Sequence, residues 1–205
     1  MIVLYDFDLS GNSHKVRLML SMLGLTYVRR HVNLFAHEQD QAPFVALNPK
    51  REVPVLVDGD LTLYDSQGIL LYLAASYGPR WMGERPAEWA GIGLWLSTAC
   101  NEISRSLQMA RLFYRKAKEA EGVDIVAVHD QCHRTLRFMD DALVDRNWLA
   151  AERPTVADIA CFPYVALAHE GRVALDAYPN ILRWVDRVGS IPGFVGMEGI
   201  RGPSL

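Results

Sequence analysis

Cysteine is scarce in this chain: Cys100, Cys132 and Cys161 are all it has. They lie too far apart for a CxxC pair or a Cys/His zinc spacing, so neither a disulfide scaffold nor a metal centre is expected. An excess of one charge is missing too. The 21 Lys and Arg residues against 24 Asp and Glu leave a net charge of −3. The basic residues are scattered, with no stripe that would track a nucleic acid. No apolar run reaches the length of a membrane span, and the first residues enter a strand pattern with no signal-peptide character. No internal repeat is found. Half of the 205 residues are apolar, enough for a sizeable core in one large domain or two small ones. A cytoplasmic globular protein is the expectation.

What is present is organised around Leu9-Ser10-Gly11-Asn12-Ser13-His14-Lys15. Ahead of it, residues 2–5 read as a short buried strand. Behind it, Val16, Leu18, Met19, Leu20, Met22 and Leu23 recur at helical spacing, and Gly24 closes the helix. Hydroxyl residues thus occupy the link between the carboxyl end of a strand and the amino end of a helix. Unpaired N–H groups and a partial positive charge at a helix start stabilise an anion, and a thiolate is such an anion. An unperturbed thiol titrates at about 8.5, and each unit of lowering needs about 1.4 kcal/mol. The plainer alternative is that Ser10 or Ser13 only caps the helix. His14, at the helix start, reads as a solvated surface residue.

Residues 26–33 alternate apolar and polar side chains, which completes a β-α-β unit. After a polar stretch and a short helix near residues 43–47, two apolar runs flank Asp58-Gly59, a hairpin signal. A helix over residues 67–77 follows. This order predicts a small mixed sheet with helices packed on it. Pro54 stands at a strand start, where its missing N–H matters least. Asp65-Ser66 caps the next helix and offers a second helix N-terminus.

Three segments together, Ser10 to Arg17, Asn48-Pro49-x-x-x-Val53-Pro54-Val55-Leu56 and Asp65-Ser66-Gln67, resemble the cytosolic glutathione transferases. The likeness covers essentially the whole chain and points to a serine-type bacterial member with some similarity to nu-like classes. It implies an N-terminal thioredoxin-like domain (residues 1–78) and a C-terminal all-helical, substrate-binding domain (residues 86–205). It implies that Ser10, with Asn12, activates the glutathione thiol. Gln39 and Arg51 would contact the glycine end, Val53 the cysteinyl backbone, and Pro54 would be the cis proline. Asp65 and Ser66 would hold the γ-glutamyl amine and carboxylate. No metal or prosthetic group is implied. The strand–helix link lacks the cysteine of omega- and beta-like classes, so a mixed disulfide with the protein is not expected.

Residues 78–86 concentrate chain breakers, and beyond them the pattern is helical throughout. A long helix is expected from about Trp89 to Gly122, then helices near residues 124–144, 159–170 and 179–189, with an irregular tail from Gly193 onward. Thr155-Val156-Ala157-Asp158 reads as a capping box that serves folding. On the long helix Asn101, Ser104, Arg105 and Gln108 fall on one stripe at i, i+3, i+4, i+7. Asn101, Arg105, Gln108 and Arg111 are the expected electrophile-side residues, a solvated or dimer-facing stripe being the alternative. The three cysteines are expected to fill core space.

The leading functional expectation is a glutathione transferase acting in detoxification, in which bound glutathione attacks a small hydrophobic or electrophilic substrate. Glutathione-dependent reduction of disulfides or peroxides is the second, and a non-catalytic binding module of the same fold the third. The resemblance implies a homodimer, with no nucleic-acid or membrane partner.

Overall fold

The computed structural model describes residues 1–200, and the end of the expected irregular tail, residues 201–205, lies outside them. The first strand, Ile2–Asp6 (β1), alternates buried and half-buried side chains. The helix Gly11–Met22 (α1) returns the chain to Tyr27–His31 (β2), parallel to β1 with Ile2 opposite Tyr27. A short helix, Ala42–Leu47 (α2), precedes the hairpin of Val55–Asp58 (β3) and Leu61–Tyr64 (β4), turned at Gly59 with φ 60°. The sheet order is β2-β1-β3-β4, with β3 antiparallel to both of its neighbours. The helix Ser66–Tyr77 (α3) packs beside α1.

The remaining elements are helical: Pro86–Thr98 (α4), Met109–Tyr114 (α5), Ile125–Ala142 (α6), Val156–Ala166 (α7) and Pro179–Gly189 (α8). The long helix expected after Trp89 does run on past α4, but not as one α-helix. Ala99–Gln108 forms a ten-residue π-helical segment between α4 and α5. Bonding i→i+5 instead of i→i+4 lengthens the turn. Residues four apart therefore stay on one face longer than in an α-helix, which changes which side chains meet the neighbouring sheet domain.

One core cluster joins both halves of the chain, with Leu4, Leu18 and Leu70 in the same packed group as Ile92, Leu136, Phe162 and Trp184. Helix α1 sits between α3 and α7 and has almost no solvent face. That burial corrects the surface placement expected for His14. Its ring is fully buried, its Nε2 lies 2.8 Å from the carbonyl of Val195, and desolvation pushes its pKa down to about 4. A helix buried on every side has no solvated position to offer, whatever its sequence pattern.

Helix α7 is the centre of the helical half, buried from Val156 to Val165. Its capping box is present as expected, with Thr155 and Asp158 bonded reciprocally. The Asp158 carboxylate does more than cap. It also accepts from the backbone N–H of Leu149 at 3.0 Å and from the Trp184 indole at 3.0 Å, tying the preceding loop and α8 to the start of α7. Asp158→Ala would leave three buried N–H donors unpaired, at about 1–3 kcal/mol each before relaxation. The expected loss is about 3–5 kcal/mol, read as a lower urea midpoint. A loss under about 1 kcal/mol would contradict this role.

Candidate functional site

The link between β1 and α1 is held by its carbonyls. Arg17, nearly two turns into α1, donates to the carbonyls of Phe7 (3.3 Å) and Asp8 (3.1 Å) and pairs with the fully buried Asp6. Arg111 of α5 crosses from the helical half and donates to the Leu9 carbonyl at 2.8 Å. With three successive carbonyls drawn back, the link presents its remaining polar groups at the start of α1. Ser10 is the N-cap, its hydroxyl accepting from the Ser13 N–H at 3.1 Å. Gly11 is required by packing, because a Cβ there would lie 2.8 Å from the Tyr164 ring. The helix start is thereby pressed against α7.

In front of Asn12 and Lys15 lies a cavity of about 190 Å³. Val53 and Pro54 form one wall, Asp65, Ser66 and Gln67 another, and Ala99, Cys100, Ser104 and Gln108 of the π segment the third. The Val53–Pro54 peptide is cis. The loop leading to it is braced by Asn48, whose amide donates to the Glu52 carbonyl at 2.8 Å and whose side-chain oxygen accepts from Lys50 N–H at 2.9 Å. Among the described residues the Val53 backbone N–H and C=O have no partner. An extended peptide laid along this edge would satisfy both groups.

Asp65 adopts φ 86°, a conformation uncommon outside glycine, and caps α3 with one carboxylate oxygen, accepting from Gln67 and Gly68 N–H. Its second oxygen remains available to a ligand cation. The Ser66 hydroxyl is bonded to the Gln67 side-chain oxygen, and the Gln67 amide donates to the Cys100 sulfur at 2.8 Å. Strain at a cavity wall that also supplies a half-used carboxylate is a common mark of a binding site.

Lys15 is the site's least expected member. Its side chain is 1 % exposed, lines the cavity, and among the described residues forms no ion pair or hydrogen bond. Its ammonium faces the Tyr164 ring, 5.4 Å from the centroid. Desolvation lowers its pKa to about 8, against the pull of Cys161, Cys100 and Asp65. The floor of the cavity thus carries a cation with no counter-charge of its own, beside an α3 N-terminus that adds positive character.

Of the residues expected from the sequence, Asn12, Val53, Pro54, Asp65, Ser66 and Gln108 meet around this cavity. Ser10 lies beside it as the cap of α1. Gln39 and Arg51 do not line it: Gln39 lies half-buried in a 3-10 turn, and the exposed Arg51 reaches Asp40 at 3.5 Å. Three of the electrophile-side residues expected from the sequence lie outside this cavity. Asn101 and Arg105 are exposed and outside the cavity, the Asn101 amide turning back to the Ser97 carbonyl at 3.0 Å. Arg111 is buried, paired with Glu170 at 2.7 Å and committed to the Leu9 carbonyl. For Asn101 and Arg105 the cause is the π segment, in which Cys100, Ser104 and Gln108, spaced four apart, face the cavity in place of the full stripe 101-104-105-108. Cys100 is consequently exposed at the cavity and does not fill core space, while Cys132 and Cys161 are buried as expected. Lys15, Asn48, Gln67 and Cys100 were not singled out for the site. Lys15, Asn48 and Gln67 stand inside the three segments that carried the resemblance, whereas Cys100 had no site signal in the sequence.

Residues 4–81 match the family profile described as glutathione S-transferase, N-terminal domain, and residues 109–187 match its C-terminal domain. Among curated proteins, the disulfide-bond oxidoreductase YfcG of Escherichia coli strain K12 is 29% identical, covering 94% of this chain and 92% of its own. Among solved structures, a glutathione S-transferase from Pseudomonas fluorescens Pf-5 superposes with a TM-score of 0.88 at 29% identity, covering 96% of this chain and 98% of its own. A glutathione transferase from Pseudomonas putida, with one glutathione disulfide bound per subunit, superposes with a TM-score of 0.83 at 26% identity, covering 94% and 88%.

The unpaired Lys15 charge has a consequence for stability. The group binds its proton less tightly folded (about 8) than in the unfolded chain (ordinarily 10.5). Between those values the unfolded chain holds more protons, so this group's contribution to stability rises with pH through about 8 to 10.5. Below that window the cost of the buried charge is fully present, at most about 3 kcal/mol. Lys15→Met is expected to stabilise the protein by about 1–3 kcal/mol at neutral pH, with the gain shrinking as the pH rises to 10. Urea denaturation at several pH values checks it. A variant no more stable than the parent at pH 7 would show that the charge is compensated in the folded protein.

Proposed function

The chain belongs to the glutathione transferase family, and from that premise we propose that the cavity at the start of α1 binds glutathione and activates its thiol for attack on a small electrophile. The single observation that carries this reading is the polar inventory of the cavity: an unpaired peptide edge, a half-used carboxylate and an unpaired cation around one space. The first two have counterparts in a γ-glutamyl tripeptide, and the cation favours the anionic ligand that such a peptide is. The Val53 N–H and C=O pair with the cysteinyl backbone, and the free oxygen of Asp65 takes the γ-glutamyl ammonium. Ser66, at the start of α3, takes the γ-glutamyl carboxylate.

The sulfur then lies toward Asn12, whose side-chain amide donates to the thiolate. Ser10, already accepting from Ser13 N–H, retains its own hydroxyl proton as a second donor. Activation comes from N–H and O–H donors and the positive end of α1, and no covalent bond to the protein is needed for conjugation. We read residues 1–78 as the glutathione-binding domain and residues 86–205 as the substrate domain. Of the stripe expected to face the electrophile, Ser104 and Gln108 are the members that line the cavity and would face it. Gln39 and Arg51 would serve the glycine carboxylate only if their side chains swing toward the ligand. A cytoplasmic homodimer with a detoxifying role is the corresponding biological reading, in which the exposed Trp89 and Leu94 on α4 offer apolar area to a second copy.

A second reading, glutathione-dependent disulfide reduction, is favoured by one observation, the Cys100 thiol on the cavity wall. Assays of a chloronitrobenzene and of a model disulfide with the same protein separate the two. Conjugation is expected, with Asn12→Ala lowering kcat/KM by about 10- to 100-fold, roughly the loss of one or two thiolate hydrogen bonds. Asp65→Ala is expected to act chiefly on KM for glutathione, by about tenfold or more. Activity on the disulfide alone would demote conjugation, and failure to bind glutathione would leave only a binding module of the same fold.

A further inference from the structure

The link between β1 and α1 holds no cysteine, yet the cavity it faces does contain a thiol. Cys100 enters from the opposite wall, on the π segment of the helical half, and is exposed there. Two side chains address its surroundings. The Gln67 amide donates to the Cys100 sulfur at 2.8 Å. The Lys15 side chain, buried and without an ion-pair partner among the described residues, lines the same cavity. A buried cation on a cavity wall favours an anion in that cavity, and the sulfur of Cys100, which becomes anionic in thiol–disulfide exchange, stands on the same cavity's wall. The thiolate is the reactive form in exchange with disulfides.

We propose that Cys100 is a redox-active thiol that exchanges with glutathione disulfide docked in this cavity, leaving a mixed disulfide between Cys100 and one glutathionyl group. This rests on the glutathione pocket proposed above and adds a covalent site to it. In the step, the Cys100 thiolate attacks one sulfur of the disulfide. A Cys100–sulfur bond forms, the original S–S bond breaks, and the second glutathione leaves as a thiolate. The Cys100 sulfur is oxidised, the departing glutathione is reduced, and the proton lost by the Cys100 thiol is carried by solvent or by the departing thiolate. Attack of a reduced glutathione on the mixed disulfide reverses the change and restores the thiol. Lys15 stabilises negative charge both on the attacking sulfur and on the carboxylates of the docked disulfide. In an ordinary glutathione pool Cys100 would therefore report the ratio of oxidised to reduced glutathione and, when loaded, occupy the electrophile side of the pocket.

The test follows the intact mass of the full chain incubated with glutathione disulfide, alongside calorimetric titration with S-methylglutathione, which binds without exchanging. One glutathionyl adduct per chain is expected, formed at a rate that saturates with disulfide concentration, suppressed by S-methylglutathione and reversed by dithiothreitol. Cys100→Ser and Cys100→Ala should both form none, and Lys15→Met and Lys15→Gln should form it on the order of tenfold more slowly. An adduct that persists in both Cys100 variants overturns the proposal. So does a rate that is linear in concentration and no greater than that for hydroxyethyl disulfide, which would mark an ordinary exposed thiol. If S-methylglutathione binds and no adduct forms, the proposal falls while the pocket assignment stands. If S-methylglutathione does not bind, the pocket assignment falls first, and the proposal with it.

Discussion

The amino end of α1 is gripped from both halves of the molecule, and the site exists because of that grip. Arg17 holds the carbonyls of Phe7 and Asp8 from within the sheet domain, while Arg111 reaches across from α5 to the carbonyl of Leu9. A loop whose acceptors are all engaged behind it keeps its donors in front. The close contact between Gly11 and Tyr164 fixes the same point from α7. These contacts set Asn12 and Lys15 against the walls supplied by α3 and by the π segment. Sheet and bundle are joined at the place where the polar groups converge.

Lys15 and Asp158 show two ways of burying a charge. Asp158 is surrounded by donors from Leu149, Thr155 and Trp184 and stiffens the centre of the helical half. Lys15 has an aromatic face and, among the described residues, no counter-ion, so its burial costs stability that a ligand anion can return. The first arrangement is structural, the second anticipates a partner. A protein that keeps a destabilising cation at the floor of a cavity is trading stability for binding.

Much of the fold was legible in the sequence because its signals are local. The Asp58-Gly59 turn, the helical spacing after Asn12, the capping box at Thr155 and the Pro54 strand start each depend on a few neighbouring residues, and the structure contains all of these elements. The departures came from interactions that local patterns do not carry. His14 and Lys15 look solvated by type, yet α1 is enclosed by α3 and α7 and has no outer face. The stripe through Asn101 and Arg105 assumed 3.6 residues per turn, and the π segment rotated it so that Cys100 came to the cavity instead. Arg111 fitted an open groove by charge and position. Its burial follows from Glu170 and Leu9, which stand 59 and 102 residues away in the chain.

The central claim is that donors at the start of α1 hold the sulfur of a bound tripeptide as an anion, and ultraviolet difference absorbance of the protein titrated with glutathione at near-neutral pH measures it most directly. The account predicts a thiolate band that grows with glutathione, saturates at one site per chain, and is absent with S-methylglutathione. Saturable binding of glutathione with no thiolate band would contradict it, since the cavity would then hold the peptide while leaving its sulfur protonated.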